Sequence, residues 1–171
     1  MRPPPSFSTG LFALPDNTSV NQCLDVYFEL FRPWCPVLSR ARLKEVFASA
    51  LQGSDPTATD LAQSIAVLVE TRPITTNASP ALPTIGPRLR ALLERSTKPI
   101  RPEDVTINKA MTTLHLFLAW EVLGERLSSW MQFHQVVTLA ELLGITDWRN
   151  KPVPTAQSFK EEDSLRLFYT L

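Results

Sequence analysis

The sequence lacks most of the features that reveal a protein's class at once. Its 171 residues include only two cysteines, Cys23 and Cys35, too few for a disulfide framework or a zinc site, so we expect an intracellular, reducing compartment. No apolar run approaches the roughly 20 residues that span a bilayer. The N-terminus carries three consecutive prolines and no apolar centre, unlike a secretory signal.

An excess of charge of one sign is also missing. Lys and Arg together number 17, as do Asp and Glu, so the formal net charge is zero. Proteins that hold nucleic acid concentrate positive charge on its phosphates, and electrostatic membrane anchors use basic clusters on anionic lipid. The balanced charge therefore argues against both kinds of binding by this chain.

No catalytic motif is present. The sequence has no phosphate loop, no G-x-S-x-G, no H-E-x-x-H and no dinucleotide fingerprint. Its two histidines, His115 and His134, have no acid or cysteine cluster at helical spacing, so we interpret them as partly buried or surface side chains. Cys23 and Cys35 are interpreted as small buried hydrophobes, although the sequence leaves open that a histidine reaches one of them. We expect no enzymatic activity, no cofactor and no metal ion in this chain.

Proline is abundant, with 15 residues against five glycines, and it separates the predicted helices. Residues 1–17 are rich in Pro and Ser and show no period, so we interpret them as a tail or linker. Residues 18–171 are interpreted as one partial α-helical domain. No stretch alternates as a strand does, and the predicted class is therefore all-α.

Three amphipathic helices are predicted in the first half of the chain, over residues 20–31, over residues 40–52 and from Pro56 to the Thr71-Arg72-Pro73 stop. Ser39 and Asp55 are suitable N-caps for the second and third, and Pro56 suits a first helical position. Pro residues end the first helix at positions 33 and 36. The side chains predicted to face the core are Leu24, Tyr27, Phe28, Phe31, Leu43, Val46, Phe47, Ala50, Leu51, Leu61, Ile65, Leu68 and Val69.

Residues 106–144 are the stretch around which the domain is predicted to be built. They contain no proline, and Gly124 divides them into two segments with helical period, which predicts an antiparallel hairpin with a wide apolar surface. Gly144 suits a left-handed C-cap. The residues predicted to share the buried face are Ile107, Met111, Leu114, Leu118 and Val122, then Trp130, Phe133, Val137, Ala140 and Leu143.

The remaining segments are predicted as a surface loop over 72–83, a short helix over 85–95 and a loop after Gly144. The acidic run at 161–163 precedes an apolar helix start and suits a helix N-terminus. That last amphipathic stripe, which begins at Leu165, is only one or two turns long where the sequence ends. We therefore expect the chain to be a fragment of a longer protein.

Three blocks together resemble the regulatory (middle homology) domain of fungal binuclear zinc cluster transcription factors. The first is CLDVYFELFRPWCPVLSRARLKEVF, the second is the hairpin ending Ala-x-x-Leu-Gly, and the third is FKEEDSLRLFYTL. The third fits loosely, because a second Arg is missing or shifted and Phe or Tyr replaces Trp. The matching residues, all interpreted as structural, are Leu24, Tyr27, Phe28, Pro33, Pro36, Phe47, Ala140, Leu143, Gly144 and Arg166.

The resemblance implies a nuclear, non-catalytic helical scaffold that takes part in the regulation of DNA-templated transcription. DNA-binding and zinc would belong to an N-terminal six-Cys module that this chain does not contain. The implied partners are the rest of the regulatory domain or other protein helices, with a small-molecule effector as a further partner and no membrane. The second hypothesis is a free-standing α-helical protein that binds an apolar small molecule or a partner helix.

Overall fold

A computed structural model describes residues 20–31, 38–71, 92 and 100–145 of the chain. All regular secondary structure in these residues is helical, which confirms the predicted all-α class. Leu92, which belongs to the short helix predicted over 85–95, is helical and buried. The rest of that predicted helix lies outside the described residues, as do the N-terminal tail and the last sequence block. The helices in chain order are α1 (Val20–Leu30), α2 (Arg40–Gln52), α3 (Pro56–Glu70), a one-turn 3₁₀ helix (Pro102–Asp104), α4 (Ile107–Leu123) and α5 (Arg126–Leu142).

The helices begin at side chains that bond to the backbone of the first turn. Ser39 Oγ accepts a hydrogen bond from the Arg42 N–H at 3.2 Å, and Asp55 Oδ1 accepts one from the Thr57 N–H at 2.8 Å. Thr106 Oγ1 accepts from the Lys109 N–H at 3.1 Å. Each cap satisfies an N–H group that the helix itself leaves without a carbonyl. The predicted starts of α2 and α3 are therefore confirmed.

Two glycines end the helices of the predicted hairpin. Gly124, at φ 76°, closes α4, and Gly144, at φ 69°, follows α5. In the second case the N–H of Ile145 donates to the Ala140 carbonyl at 2.9 Å, which satisfies a carbonyl of the last helical turn. Both φ values lie in the left-handed region. A residue with a Cβ atom is sterically strained there, whereas glycine adopts this conformation without strain.

The helices α3 and α4 form the centre of the fold and run parallel. Two side-chain hydrogen bonds join them, Ser64 to His115 and Asn108 to Thr57, and both pairs are separated by 51 residues. Because both pairs have the same separation along the chain, moving two turns forward on α3 also moves two turns forward on α4. The two helices therefore run in the same direction. Residues 64–69 of α3 are all buried, so this helix is covered on every side.

The helices α4 and α5 run antiparallel and pack closely. The rings of Phe117 and Phe133 lie 5.5 Å apart, and the Ser129 hydroxyl donates to the Glu121 carboxylate nearer the turn. The midpoint of each pair along the sequence is position 125, next to Gly124. A shared midpoint is what two antiparallel helices joined by a short turn require. The hairpin therefore supplies one side of the core, and α3 with α1 and α2 supplies the other.

The predicted buried face of α5 is wrong by about one residue position. Trp130 is 60% exposed and Phe133 is 37% exposed, while Val137 and Leu143 are half-buried; only Ala140 of the predicted set is fully inside. The inward face of α5 combines polar, small and aliphatic residues rather than aromatic ones. The buried residues are Ser129, Gln132, Val136, Leu139 and Ala140.

Four further residues differ from the predicted core. Leu118 of α4 is half-buried at the edge of the core. Leu51 is 49% exposed at the end of α2, and Val122 is 42% exposed at the end of α4. Phe28 is half-buried on the rim, where the Arg40 guanidinium lies 5.7 Å from the centre of its ring. Tyr27, its neighbour, is the aromatic residue of α1 that enters the core, with 1% of its surface exposed.

Candidate functional site

A buried polar cluster joins α1, α3 and α4 at the centre of the fold. His115 is fully buried, and both ring nitrogens are hydrogen-bonded: Nε2 lies 3.0 Å from the Tyr27 hydroxyl and Nδ1 lies 3.1 Å from Ser64 Oγ. The Tyr27 and His115 rings also meet edge to face, with centroids 5.5 Å apart. Sequence reasoning placed His115 at most partly inside and did not connect it to either hydroxyl, because its partners are distant along the chain.

The positions of the protons in this cluster follow from Ser64. Its hydroxyl donates to the Leu61 carbonyl at 2.7 Å, so its oxygen is left to accept the proton on His115 Nδ1. Nε2 then carries no proton and accepts the hydrogen of the Tyr27 hydroxyl. The imidazole is neutral in this arrangement, and burial lowers the pKa of His115 to about 3.

The chemistry of this cluster is structural rather than nucleophilic. A catalytic serine needs its proton directed at a base and its oxygen open to a substrate. Ser64 instead gives its proton to a backbone carbonyl, and none of its surface is exposed. What the cluster does is hold α1 and α3 to α4 with every polar group satisfied, which favours one arrangement of the core.

A second polar network links the N-terminal ends of α2, α3 and α4. Arg42 Nη2 donates to Asn108 Oδ1 at 3.0 Å, Asn108 Nδ2 donates to Thr57 Oγ1 at 3.0 Å, and Thr57 Oγ1 donates to Asp55 Oδ1 at 2.8 Å. Desolvation by itself would raise the pKa of Asp55. The hydrogen bonds from Thr57 and Ala58, with the Arg42 charge, outweigh it and lower that pKa below its usual value. The network sets the axial positions of these helix ends.

Cys23 behaves as the small buried hydrophobe predicted for it. It lies in α1 with none of its surface exposed, and burial first, with the nearby Glu70 charge second, raises the pKa of its thiol to about 11. A thiol with so little thiolate is a poor nucleophile. Cys35 lies outside the described residues.

The outer face of α5 is the most exposed apolar surface among the described residues. We define it by Leu127, Trp130, Met131, His134, Thr138, Glu141 and Leu142, which recur at helical spacing opposite the contact with α4. Leu127 is 72% exposed, Trp130 60%, Met131 50% and Leu142 60%. The Trp130 and His134 rings pack against each other with centroids 4.1 Å apart. Exposed apolar side chains grouped on one face mark interaction surfaces more often than isolated ones do.

The residues of the predicted structural motif fall into four groups. Leu24, Tyr27, Phe47 and Ala140 are buried, whereas Phe28 and Leu143 are half-buried. Gly144 has the left-handed conformation predicted for it. Pro33, Pro36 and Arg166 lie outside the described residues.

Comparison of the chain with models of protein families, with curated proteins and with solved structures gave no match. Within the described residues, none of the helices is both long and apolar enough to cross a membrane. The same part of the chain contains no group of three or more His, Cys, Asp or Glu side chains placed to hold a metal ion.

Proposed function

We propose that the chain is a non-catalytic helical regulatory domain of a nuclear transcription factor of the zinc cluster type. It acts in the regulation of DNA-templated transcription by presenting a protein-binding surface on a rigid scaffold. DNA is bound by a separate module, and zinc belongs to that module. The observation that carries the proposal is the outer face of α5, where large apolar side chains stay exposed on a helix that is anchored from behind.

The interior of the fold supports a scaffold role. Its polar groups at His115 and Arg42 connect helices to each other and present no accessible nucleophile. The first of the sequence blocks that resemble the fungal regulatory domain contributes buried residues of α1 and α2 to the core, notably Leu24 and Phe47. The resemblance supplies the nuclear and transcriptional part of the proposal, and the exposed face supplies the binding part.

The test is a reporter assay with the chain fused to an unrelated DNA-binding module. The wild-type chain should change transcription relative to the module alone, and Leu127→Lys should remove most of that change, because a charge in place of the most exposed leucine of this face opposes burial. Leu51→Lys, which alters an exposed leucine of α2, is the matched control and should behave as wild type. A wild-type fusion that leaves reporter output unchanged would contradict the proposal.

The same surface favours a second function, binding of an apolar small molecule or a partner helix by a protein with no role in transcription. That function predicts that a hydrophobic dye binds the wild-type chain and binds Leu127→Lys more weakly. It also predicts that the fused chain does not change reporter output. Together the two assays separate the two functions.

A further inference from the structure

The four most exposed large apolar side chains of the described residues all belong to the outer face of α5, and they occupy both of its ends. Leu127 and Trp130 lie near the N-terminal end with Met131, and Leu142 lies at the C-terminal end. The helix has 17 residues and is therefore about 25 Å long. A partner that covers this face has to bring apolar groups to both ends and tolerate a polar centre at His134.

The charged residues at the two ends of α5 have opposite signs; Glu141 lies on the outer face and Arg126 lies beside it. Arg126 begins the helix and Glu141 lies in its last turn; both are exposed, and neither forms an ion pair with another described residue. A second α5 laid antiparallel on the first brings Arg126 of one copy to Glu141 of the other, and the same contact forms twice. Antiparallel alignment also opposes the two helix dipoles favourably.

The apolar groups match in the same antiparallel alignment. When the two helices are offset by one residue from full overlap, Leu127 of one copy lies opposite Leu142 of the other, and Met131 lies opposite Thr138. In this alignment Arg126 of one copy is two residues, about 3 Å along the axis, from the position opposite Glu141 of the other, a gap that the long arginine side chain spans. The two-fold axis of the pair passes between His134 and Gln135, where the same residues of the two copies meet. A two-fold contact of this kind is self-complementary, as closed homodimers require.

We infer that a second copy of the chain covers the outer face of α5, in a homodimer built on antiparallel α5–α5 contact. The inference rests on the proposed function, since it names the partner of the same surface. A zero formal net charge does not oppose association between copies. A contact along one helix pair is smaller than the roughly 1,600 Å² of a standard stable interface, so the dimer is concentration-dependent.

The first test is sedimentation equilibrium of the full chain over a range of concentrations. The wild-type protein should approach twice its monomer mass of 19.2 kDa as concentration rises. Leu127→Lys and Leu142→Lys should each keep the monomer mass, and Leu51→Lys should dimerise as wild type does. A wild-type chain that stays monomeric overturns the inference, as does a dimer that Leu51→Lys disrupts and Leu127→Lys leaves intact.

A charge exchange tests the direction of the helices. Arg126→Glu and Glu141→Arg should each weaken self-association, because each variant places like charges together at both ends. An equimolar mixture of the two variants should recover the dimer mass, since in the mixed pair every contact is between opposite charges. Lys44→Glu, an exposed charge reversal on α2, is the control and should not change the mass. A mixture that stays monomeric while the wild type dimerises rejects the antiparallel pairing.

The reporter assay and the mass measurement separate failure of the inference from failure of the proposed function. A monomer whose outer face changes reporter output shows that the partner is another protein, which rejects the inference alone. A dimer that depends on Leu127 but leaves reporter output unchanged supports the inference and rejects the transcriptional function.

Discussion

Mild acid should destabilise the fold through His115. Its pKa is about 3 in the folded chain and 6.5 in the unfolded reference, so between these values the unfolded state binds more protons. The contribution of His115 to the free energy of unfolding is therefore fully present above pH 6.5 and is lost progressively as the pH decreases towards 3. The free energy of unfolding should be about 2 kcal/mol lower at pH 5 than at pH 8. This difference depends mainly on how far pH 5 lies below the pKa of the unfolded state.

Among the described groups with a shifted pKa, His115 is the one expected to dominate this pH window. The imidazole is hydrogen-bonded by the neutral hydroxyls of Tyr27 and Ser64, and desolvation is what lowers its pKa. Asp55, whose pKa is lowered from 3.8, contributes stability that is lost only as the pH falls below that value. The change in stability from pH 8 to pH 5 is therefore expected to report on His115 rather than on Asp55.

Urea unfolding followed by circular dichroism at pH 8, 7, 6 and 5 measures this effect. His115→Gln should be less stable than wild type at pH 8 and should lose most of the pH dependence, because glutamine does not titrate. His134→Gln, which replaces the exposed histidine, is the matched control. Equal wild-type stability at pH 8 and pH 5 would refute the reasoning, and so would a His115→Gln variant with the wild-type slope.

Three further outcomes are expected. Tyr27→Phe should lower the free energy of unfolding by about 1–3 kcal/mol at pH 8, because it leaves His115 Nε2 buried without its donor; urea titration checks this, and an unchanged midpoint contradicts it. Tyr27→Ala should destabilise more than Phe28→Ala in the same assay, since only Tyr27 is fully buried; the reverse order would mean that α1 is rotated. In a Cys35→Ser background, Cys23 should react with a thiol reagent much faster in denaturant than in native buffer, and equal rates would show that it is accessible in the fold.

The helix boundaries were predictable because their causes are local. The start of α2 at Ser39, the start of α3 at Asp55 and the breaks at Gly124 and Gly144 each depend on one side chain or one missing Cβ. A cap or a left-handed glycine acts within a few residues, so a sequence pattern contains the whole signal.

The buried face of α5 was not predictable from its apolar residues. Hydrophobic period favoured Trp130 and Phe133, but the contact with α4 is made by Ser129, Gln132 and small or aliphatic neighbours. Ser129 is held there by the Glu121 carboxylate of the preceding helix, which a period does not record. Tertiary contact therefore decided which face of α5 turned inward.

The buried cluster around His115 could not be predicted from the sequence either, because it too depends on tertiary contacts. His115 is 88 residues from Tyr27 and 51 from Ser64, and none of the three belongs to a short motif. Their meeting depends on the parallel packing of α3 and α4, which in turn depends on a long connection between the two helices. Such a juxtaposition is a property of the fold rather than of any one segment.

The most direct measurement is disulfide trapping between copies on the outer face of α5. In a Cys23→Ala, Cys35→Ser background, Leu127→Cys and Leu142→Cys variants are mixed, oxidised and analysed by mass spectrometry. Antiparallel docking predicts that the disulfide joining position 127 to position 142 forms in excess over the disulfide joining two copies of position 127. Equal amounts of the two products, or no intermolecular disulfide, would contradict the account.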